Sequence, residues 1–204
     1  MQIRRATADD VRQLCITVVE AFADDPVMRW LYPDDDAHLA PGGAAMRPAM
    51  ENWVRYNEVW CTDDCAAAAV WIQPGRPGAP DDGTERDIDP DLADRFSIIG
   101  PLMDAHTPAE PHWYLQLLAT HPHWQRNGLG AALMAHRFDI ADRDGLACHL
   151  ETETVVNVAY YRRHGFDVSS EFDIPAGRHQ HRFSSFGADP ATEVGPHMWA
   201  MLRS

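Results

Sequence analysis

The amino-acid sequence predicts a single α/β (α+β) domain with a mixed, mostly antiparallel central sheet flanked by helices. Its 204 residues, 45% of them hydrophobic, suffice for one substantial core. Apolar runs typical of strands alternate with segments of helical periodicity, the pattern of sheets that pack against helices. No internal repeat interrupts this alternation. We therefore expect residues 1–204 to form one domain.

The N-terminal region predicts one short strand and two helices. The strand, MQIRR, precedes a helix for which Thr7 or Asp9 is the expected N-cap. Prolines 26 and 33 are expected to break helical structure. The next helix is predicted over residues 44–55.

A hairpin and a loop insertion follow. The runs EVWCT and AAAAVWIQP predict two strands that turn at Asp63 and Asp64. Prolines and glycines then crowd residues 74–90, which predicts a loop insertion. A helix is expected over residues 91–105.

The second half predicts the remaining strands. HWYLQLLAT is a long apolar strand, and the helix after it is expected to end at Gly145. Further strands are predicted at LACHLETE, FDVSSEFDI and HMWAMLR, and a short helix is predicted at NVAYYRRHG. The polar residues 175–196 predict a second loop insertion. The long helix has a predicted apolar face of Leu129, Ala132, Leu133, His136 and Ile140.

Composition excludes several functions. The net charge of −14 argues against a protein that binds nucleic-acid backbones. No stretch approaches the roughly 18 apolar residues of a membrane span, and no secretory signal is visible, so we expect a soluble, cytoplasmic protein. The four cysteines show neither zinc nor disulfide spacing and are expected to be reduced and mostly buried. His179 and His181 lack a third ligand, so no metal site is predicted.

The segment HPHWQRNGLG, residues 121–130, carries the clearest chemical signal. Here a strand meets a glycine-rich turn and a helix, whose first N–H groups lie at the positive end of the helix dipole. Gly128 and Gly130 remove side chains from this place, and Arg126 adds a positive charge. The segment predicts a phosphate or diphosphate cradle, with a purely structural turn as the alternative. It has neither the Lys-Ser/Thr of a P-loop nor a third glycine of a dinucleotide fingerprint.

QRNGLGA, residues 125–131, resembles the acetyl-CoA pyrophosphate loop of the GNAT superfamily of N-acetyltransferases, whose pattern is Gln/Arg-x-x-Gly-x-Gly/Ala. The flanking signatures of the family resemble LLATHP, before the loop, and LET…N…YYRRHGF, after it. The family's outer strands resemble IRRATADDV and WAMLR. The resemblance covers most of the chain outside residues 74–90 and 175–196. Among GNAT enzymes, it is most similar to the puromycin N-acetyltransferase type.

The resemblance implies direct transfer of acetyl from acetyl-CoA to an amine, without an acyl-enzyme and without a metal. One strand would pair with the pantetheine arm, and the N–H groups of residues 126–131 would hold the pyrophosphate. The cofactor-binding residues it implies are Leu118, Ala119, Thr120, Gln125, Arg126, Asn127, Gly128, Leu129, Gly130, Ala131 and Asn157.

Proton transfer needs an acid for the leaving thiolate and a base for the acceptor ammonium. The resemblance implies that Tyr161, four residues before Gly165, is the acid, whereas Tyr160 is expected to pack in the core. Glu151 stands where related enzymes that act on protein N-termini place a base. Glu153, His121 or a chain of water molecules are alternatives.

One position departs from the related pattern. Many relatives carry Asn seven residues before this Tyr, where it touches the cofactor, and this sequence has Thr154 there. Asn157 either takes part of that role or caps the helix.

The acceptor is expected to be a small-molecule primary amine, such as an antibiotic or an aminonucleoside-like amine. A protein N-terminus or lysine is a second acceptor class, and a non-catalytic acyl-CoA sensor is a third hypothesis. A homodimer is compatible with the resemblance. Five aromatic residues either line an acceptor cleft or belong to the core: Trp30, Tyr32, Trp53, Tyr56 and Trp113.

Overall fold

The central element is a seven-stranded sheet. The structure, a computed structural model, describes residues 2–33, 43, 46–75, 89–176 and 194–204. The sheet order is β1-β2-β3-β4-β5-β7-β6, and every neighbouring pair is antiparallel except β4 and β5. The strands are β1 Ile3–Arg5, β2 Glu58–Thr62, β3 Ala67–Ile72, β4 His112–Thr120, β5 Ala147–Thr152, β6 Asp167–Pro175 and β7 Val194–Arg203.

Helices cover both faces of the sheet, which confirms the predicted fold class. On one face α1 and α3 pack over β2 to β4, and α2 and α4 pack over β6 and β7. On the other face α5 and α6 cover β3 to β5. The described helices are α1 Val11–Ala21, α2 Pro26–Leu31, α3 Arg47–Tyr56, α4 Pro90–His106, α5 Leu129–Asp144 and α6 Val155–Arg162.

A β-bulge at Gln116 reverses the faces of β4. Val70 pairs with Leu117 and Trp71 with Leu115, so Gln116 is the extra residue. Leu115 consequently packs in the core under α5, whereas Leu117, two residues later, packs in the core under α1. Without the bulge both would lie on the same face, because strand side chains alternate. The bulge therefore redirects the second half of β4.

Several local predictions are confirmed and one is wrong. The hairpin turns at residues 63–66, α5 ends at Gly145 with φ +65°, and all four cysteines are free and buried. Pro26 does not break a helix but begins α2, because the first helical position needs no N–H and Asp25 caps it by accepting from the Met28 N–H at 2.8 Å.

Other boundaries differ modestly. Thr7 precedes a short 3-10 turn, Ala8–Asp10, and α1 begins only at Val11, so Asp9 is not an N-cap. β7 begins at Val194, inside the segment predicted as a loop insertion. The rest of that segment up to residue 193, and residues 76–88 of the first insertion, lie outside the described residues, apart from Pro175 and Ala176.

The buried face of α5 differs from the predicted one. Leu129 and Leu133 are buried as expected, but Ala132, His136 and Ile140 are only partly buried, and Met134, Arg137 and Ala141 take their place. Arg137 can lie inside because its guanidinium donates to the Glu58 carboxylate of β2 and stacks 4.0 Å from the Trp113 ring centroid. Because Arg137 is charged, the hydrophobic pattern does not indicate that this face of α5 is buried.

The Arg137–Glu58 pair yields a stability prediction. Glu58→Gln leaves a buried guanidinium without its counter-charge, so we expect a loss of about 3 kcal/mol in the free energy of unfolding. The control is Glu51→Gln, which breaks an exposed pair with Arg47 on α3 and should cost less than about 0.5 kcal/mol. Urea denaturation measures both, and equal losses for the two variants would contradict the prediction.

Candidate active site

Strands β4 and β5 run side by side only at their beginnings. Their register pairs His112 with Ala147, Trp113 with Cys148 and Tyr114 with His149, and pairing stops there. On its other edge β4 continues to pair with β3 as far as Thr120. Across the described residues, the edge of β4 that faces β5 is therefore open from the bulge to the end of the strand. Backbone N–H and C=O groups on this edge are available to an extended ligand.

The glycine-rich loop lies at the end of that open edge. The side-chain amide of Gln125 donates to the Thr120 carbonyl at 3.2 Å, and that of Asn127 donates to the Trp124 carbonyl at 3.2 Å. Arg126, with φ +63°, and Gly128, with φ +79°, adopt left-handed conformations. Two side-chain amides thus fasten the loop from within.

Helix α5 begins directly after Gly128, and space is open in front of it. A Cβ atom added to Gly128 would meet no atom within 4 Å. The first N–H groups of a 16-residue helix lack acceptors inside the helix and carry the positive end of its dipole. The arrangement has the properties of an anion cradle.

Two tyrosines of α6 adjoin this region in different ways. A Cβ atom added to Gly130 would lie 2.9 Å from the Tyr160 hydroxyl, so that glycine allows Tyr160 to approach α5. Tyr161 is buried and packs against Phe166, with ring centroids 5.8 Å apart. Burial raises the pKa of Tyr161, which keeps its phenol protonated at neutral pH.

A cleft of about 560 Å³ opens on the face of the sheet that α4 covers. Its walls come from β4 and β5, from the C-terminal half of α4 and from residues 108–111. Acidic and aromatic groups dominate the polar part of the lining. The side chains that bear on the chemistry are Tyr114, Gln116, Glu151, Met103, Asp104 and Glu110.

Glu151, the predicted base, lies in this cleft with two partners. Its carboxylate is 3.0 Å from Nε2 of His149, and both side chains are at most 2% exposed. Tyr114 is its second neighbour: burial, and then the negative charge of Glu151, hold the pKa of Tyr114 well above its usual value. Neither His149 nor Tyr114 belongs to a motif that the sequence pattern indicated. The alternation of strand residues could have selected His149, two positions before Glu151.

Glu153 lies apart from Glu151, because β5 ends at Thr152 and the alternation does not continue. It packs beside Asp25 of the α1–α2 connection. Burial, then the adjacent Asp25 carboxylate, raises the pKa of Glu153 to about 9. The raised pKa favours the protonated form of Glu153 at neutral pH, which disfavours it as a carboxylate base.

The structure shows the hydrogen-bond partners of Thr154, Asn157 and His121. Thr154 caps α6 by accepting from the Asn157 N–H at 3.2 Å, so Asn157 is not the cap. Its side chain instead donates to Glu153 at 3.3 Å. His121 pairs with Glu20 of α1 at 2.7 Å.

The five aromatic residues that could line an acceptor cleft or belong to the core do not line the cleft described above. Trp30 and Trp113 are core residues, and the other three, Tyr32, Trp53 and Tyr56, are partly buried. Among the described residues there is no group of three or more His, Cys, Asp or Glu that could hold a metal, and His179 and His181 lie outside them. None of the helices in the described ranges combines the length and apolar character that crossing a bilayer requires.

Comparison with known proteins identifies the fold. A family model described as the acetyltransferase (GNAT) family matches residues 17–166. A histone acetyltransferase HPA2 and related acetyltransferase from Corynebacterium glutamicum is 22% identical, with a TM-score of 0.59 over 99% of this chain and 94% of that chain. A mosquito arylalkylamine N-acetyltransferase like 5b is 16% identical, with a TM-score of 0.65 over 99% and 98%.

Two further matches complete the comparison. An agmatine N-acetyltransferase in its apo form is 13% identical, with a TM-score of 0.66 over 98% of this chain and 97% of that chain. At such identities the structural likeness establishes the fold alone. An alignment over 72 residues is 33% identical to part of a probable serine/threonine-protein kinase from Dictyostelium discoideum; the matched part covers 32% of this chain and only 9% of that protein.

The raised pKa of Glu153 yields a pH prediction. Native Glu153 keeps a proton up to about pH 9, whereas the unfolded chain loses it near 4.3, so the stability that this proton contributes falls as pH rises between those values. We expect the free energy of unfolding to decline from pH 6 to pH 8.5, by up to about 1.4 kcal/mol per pH unit. Glu153→Gln should flatten that decline.

Urea denaturation at several pH values measures the slope. Asp139→Asn, at an exposed position on α5, serves as the control and should keep the wild-type slope. An unchanged slope in Glu153→Gln would show that Glu153 titrates normally in the native protein.

Proposed function

The chain belongs to the acetyltransferase (GNAT) family, and we propose that it transfers acetyl from acetyl-CoA directly to the primary amine of a small molecule. The observation that carries this proposal is the parting of β4 from β5. It leaves an open strand edge that leads from an anion cradle toward the buried carboxylate of Glu151. An extended ligand with an anionic end and a reactive end fits that layout.

The proposed cofactor site follows the open edge. Leu118, Ala119 and Thr120 offer backbone groups on the side of β4 that β5 has left, and a pantetheine arm would bind there like an added strand. The N–H groups of residues 126–131, with the Arg126 side chain, would hold the pyrophosphate. Gln125 and Asn127 would support this by fixing the loop.

Two side chains would move the protons. Bound acetyl-CoA supplies an activated acetyl group as a thioester. Glu151 would take a proton from the acceptor ammonium, and Tyr161, whose raised pKa keeps it protonated, would give a proton to the departing sulfur. Asn157, bonded to Glu153, is proposed to act at the cofactor side.

The size and charge of the cleft support a small cationic acceptor. Its volume of about 560 Å³ lies within the usual range of small-molecule sites. Asp104, Glu110 and Glu151 place carboxylates along it, which favours an ammonium ion over a neutral or anionic acceptor. An antibiotic or aminonucleoside-like amine, as in the puromycin N-acetyltransferase type, is the finer form of this proposal.

A thiol-release assay tests the proposal. Acetyl-CoA is offered with a panel of small amines, including puromycin, and in parallel with peptides that carry free N-termini or lysines. We expect turnover with at least one small amine. Turnover with peptides alone would contradict the small-molecule acceptor, and binding of acetyl-CoA without turnover would favour a sensor.

Tyr161 and Tyr160 form a matched pair for testing the acid. Tyr161→Phe should lower kcat at least about 100-fold while acetyl-CoA still raises the Tm, because only the proton donor is lost. Tyr160→Phe removes the neighbouring hydroxyl and should change kcat less than about threefold. A large loss of kcat in Tyr160→Phe with normal turnover in Tyr161→Phe would show that Tyr160, and not Tyr161, is the acid.

A further inference from the structure

His149 is buried in the middle of β5, next to the cleft. Its side chain is fully buried, and its ring stacks 5.5 Å from Tyr114 and lies edge-on 5.4 Å from His112. Strand alternation places it on the same face as Glu151. A histidine in such a place needs partners for both ring nitrogens.

The hydrogen bonds of His149 fix where its protons lie. Nδ1 is 3.2 Å from the Met201 carbonyl, which only accepts, so Nδ1 carries a hydrogen. Nε2 is 3.0 Å from a Glu151 oxygen. If neither atom carried a hydrogen, a lone pair on nitrogen would face a lone pair on oxygen, and the contact would be repulsive. One further proton therefore lies between His149 and Glu151.

The surroundings place that proton on His149. The phenol of Tyr114, which burial and the Glu151 charge keep protonated, interacts with Glu151 and favours its ionised form. Asp104 of α4 and Glu110 also line the cleft and add negative charge, while His112 flanks the ring. Both nitrogens of His149 are then donors.

Building on the proposed acetyl transfer, we propose that His149 is a positioning residue: a buried imidazolium that donates to the Met201 carbonyl and to Glu151, and so holds the Glu151 carboxylate at the cleft wall to take the acceptor's proton. His149 does not touch the acceptor. It acts through Glu151, whose carboxylate has further lone pairs directed to other partners.

The proton step balances in charge and atoms. An N–H bond of the acceptor ammonium breaks, its electron pair stays on nitrogen, and the proton bonds to a Glu151 oxygen. The ammonium loses one positive charge and the His149–Glu151 pair gains one, so the net charge of the cleft is unchanged. The positive charge passes from the acceptor nitrogen to the His149–Glu151 pair, where the Met201 carbonyl still accepts from Nδ1 of His149 and the carboxylates of Asp104 and Glu110 line the same cleft.

Nitrogen-15 NMR of histidine-labelled protein tests the protonation directly. At pH 7.5 we expect both ring nitrogens of His149 to carry protons, with its signals assigned through His149→Gln. In Glu151→Gln, Nε2 should lose its proton and accept from the new amide. A neutral His149 beside an ionised Glu151, or the same signals in Glu151→Gln, would overturn the proposal.

A double-mutant cycle tests whether His149 acts through Glu151. Glu151→Gln should lower kcat/KM for the amine about 100-fold, and His149→Gln, which retains a neutral donor, about tenfold, with the KM for acetyl-CoA unchanged. The double variant should match Glu151→Gln within about twofold. A further tenfold loss in the double variant would overturn the positioning role.

The same experiments separate this proposal from the proposed function. The control His136→Gln, on α5 against Trp60, should keep wild-type kcat within about twofold. If the NMR result holds but no amine releases thiol from wild-type protein, the proposed function fails, and the positioning role for catalysis fails with it. If amines turn over but the cycle is additive, only the role of His149 fails.

Discussion

The constraint on which the rest of the structure depends is the separation of two parallel strands. β4 and β5 pair for three residues, and the bulge at Gln116 then redirects β4 so that Leu115 and Leu117 enter different cores. Within the described ranges, one edge of β4 has no strand partner beyond that point, so its backbone groups are unpaired although β4 is not an outer strand of the sheet. The anion cradle, α6 and the cleft are all arranged around this gap.

The sequence predicted the parts of this arrangement that depend on local conformation. Gly128 and Gly145 bound α5 because left-handed conformations favour glycine at those two positions, and the long strand before the loop was predicted with its observed ends. The buried face of α5 was not predictable from the pattern alone. Arg137 lies inside because of Glu58, 79 residues away, and no local rule couples these two.

The candidate site likewise combines residues that local motifs indicate with partners that only the fold brings together. Motifs selected Glu151 and Tyr161, but the groups that define their chemistry come from distant segments. Burial, and then the Asp25 carboxylate just before α2, raise the pKa of Glu153, and the Met201 carbonyl of β7 lies 3.2 Å from Nδ1 of His149. Sequence spacing could have paired His149 with Glu151, yet only the fold shows that both are buried and share a contact.

We propose that the open edge of β4 and the loop after it receive acetyl-CoA. Amide hydrogen exchange with and without acetyl-CoA tests it most directly, because an added strand protects the amides that it pairs with. We predict slower exchange at residues 117–120 and 126–131 on binding, with no comparable change in β1 or β2. Binding of acetyl-CoA without protection at residues 117–120 would show that the cofactor does not bind along the open edge of β4.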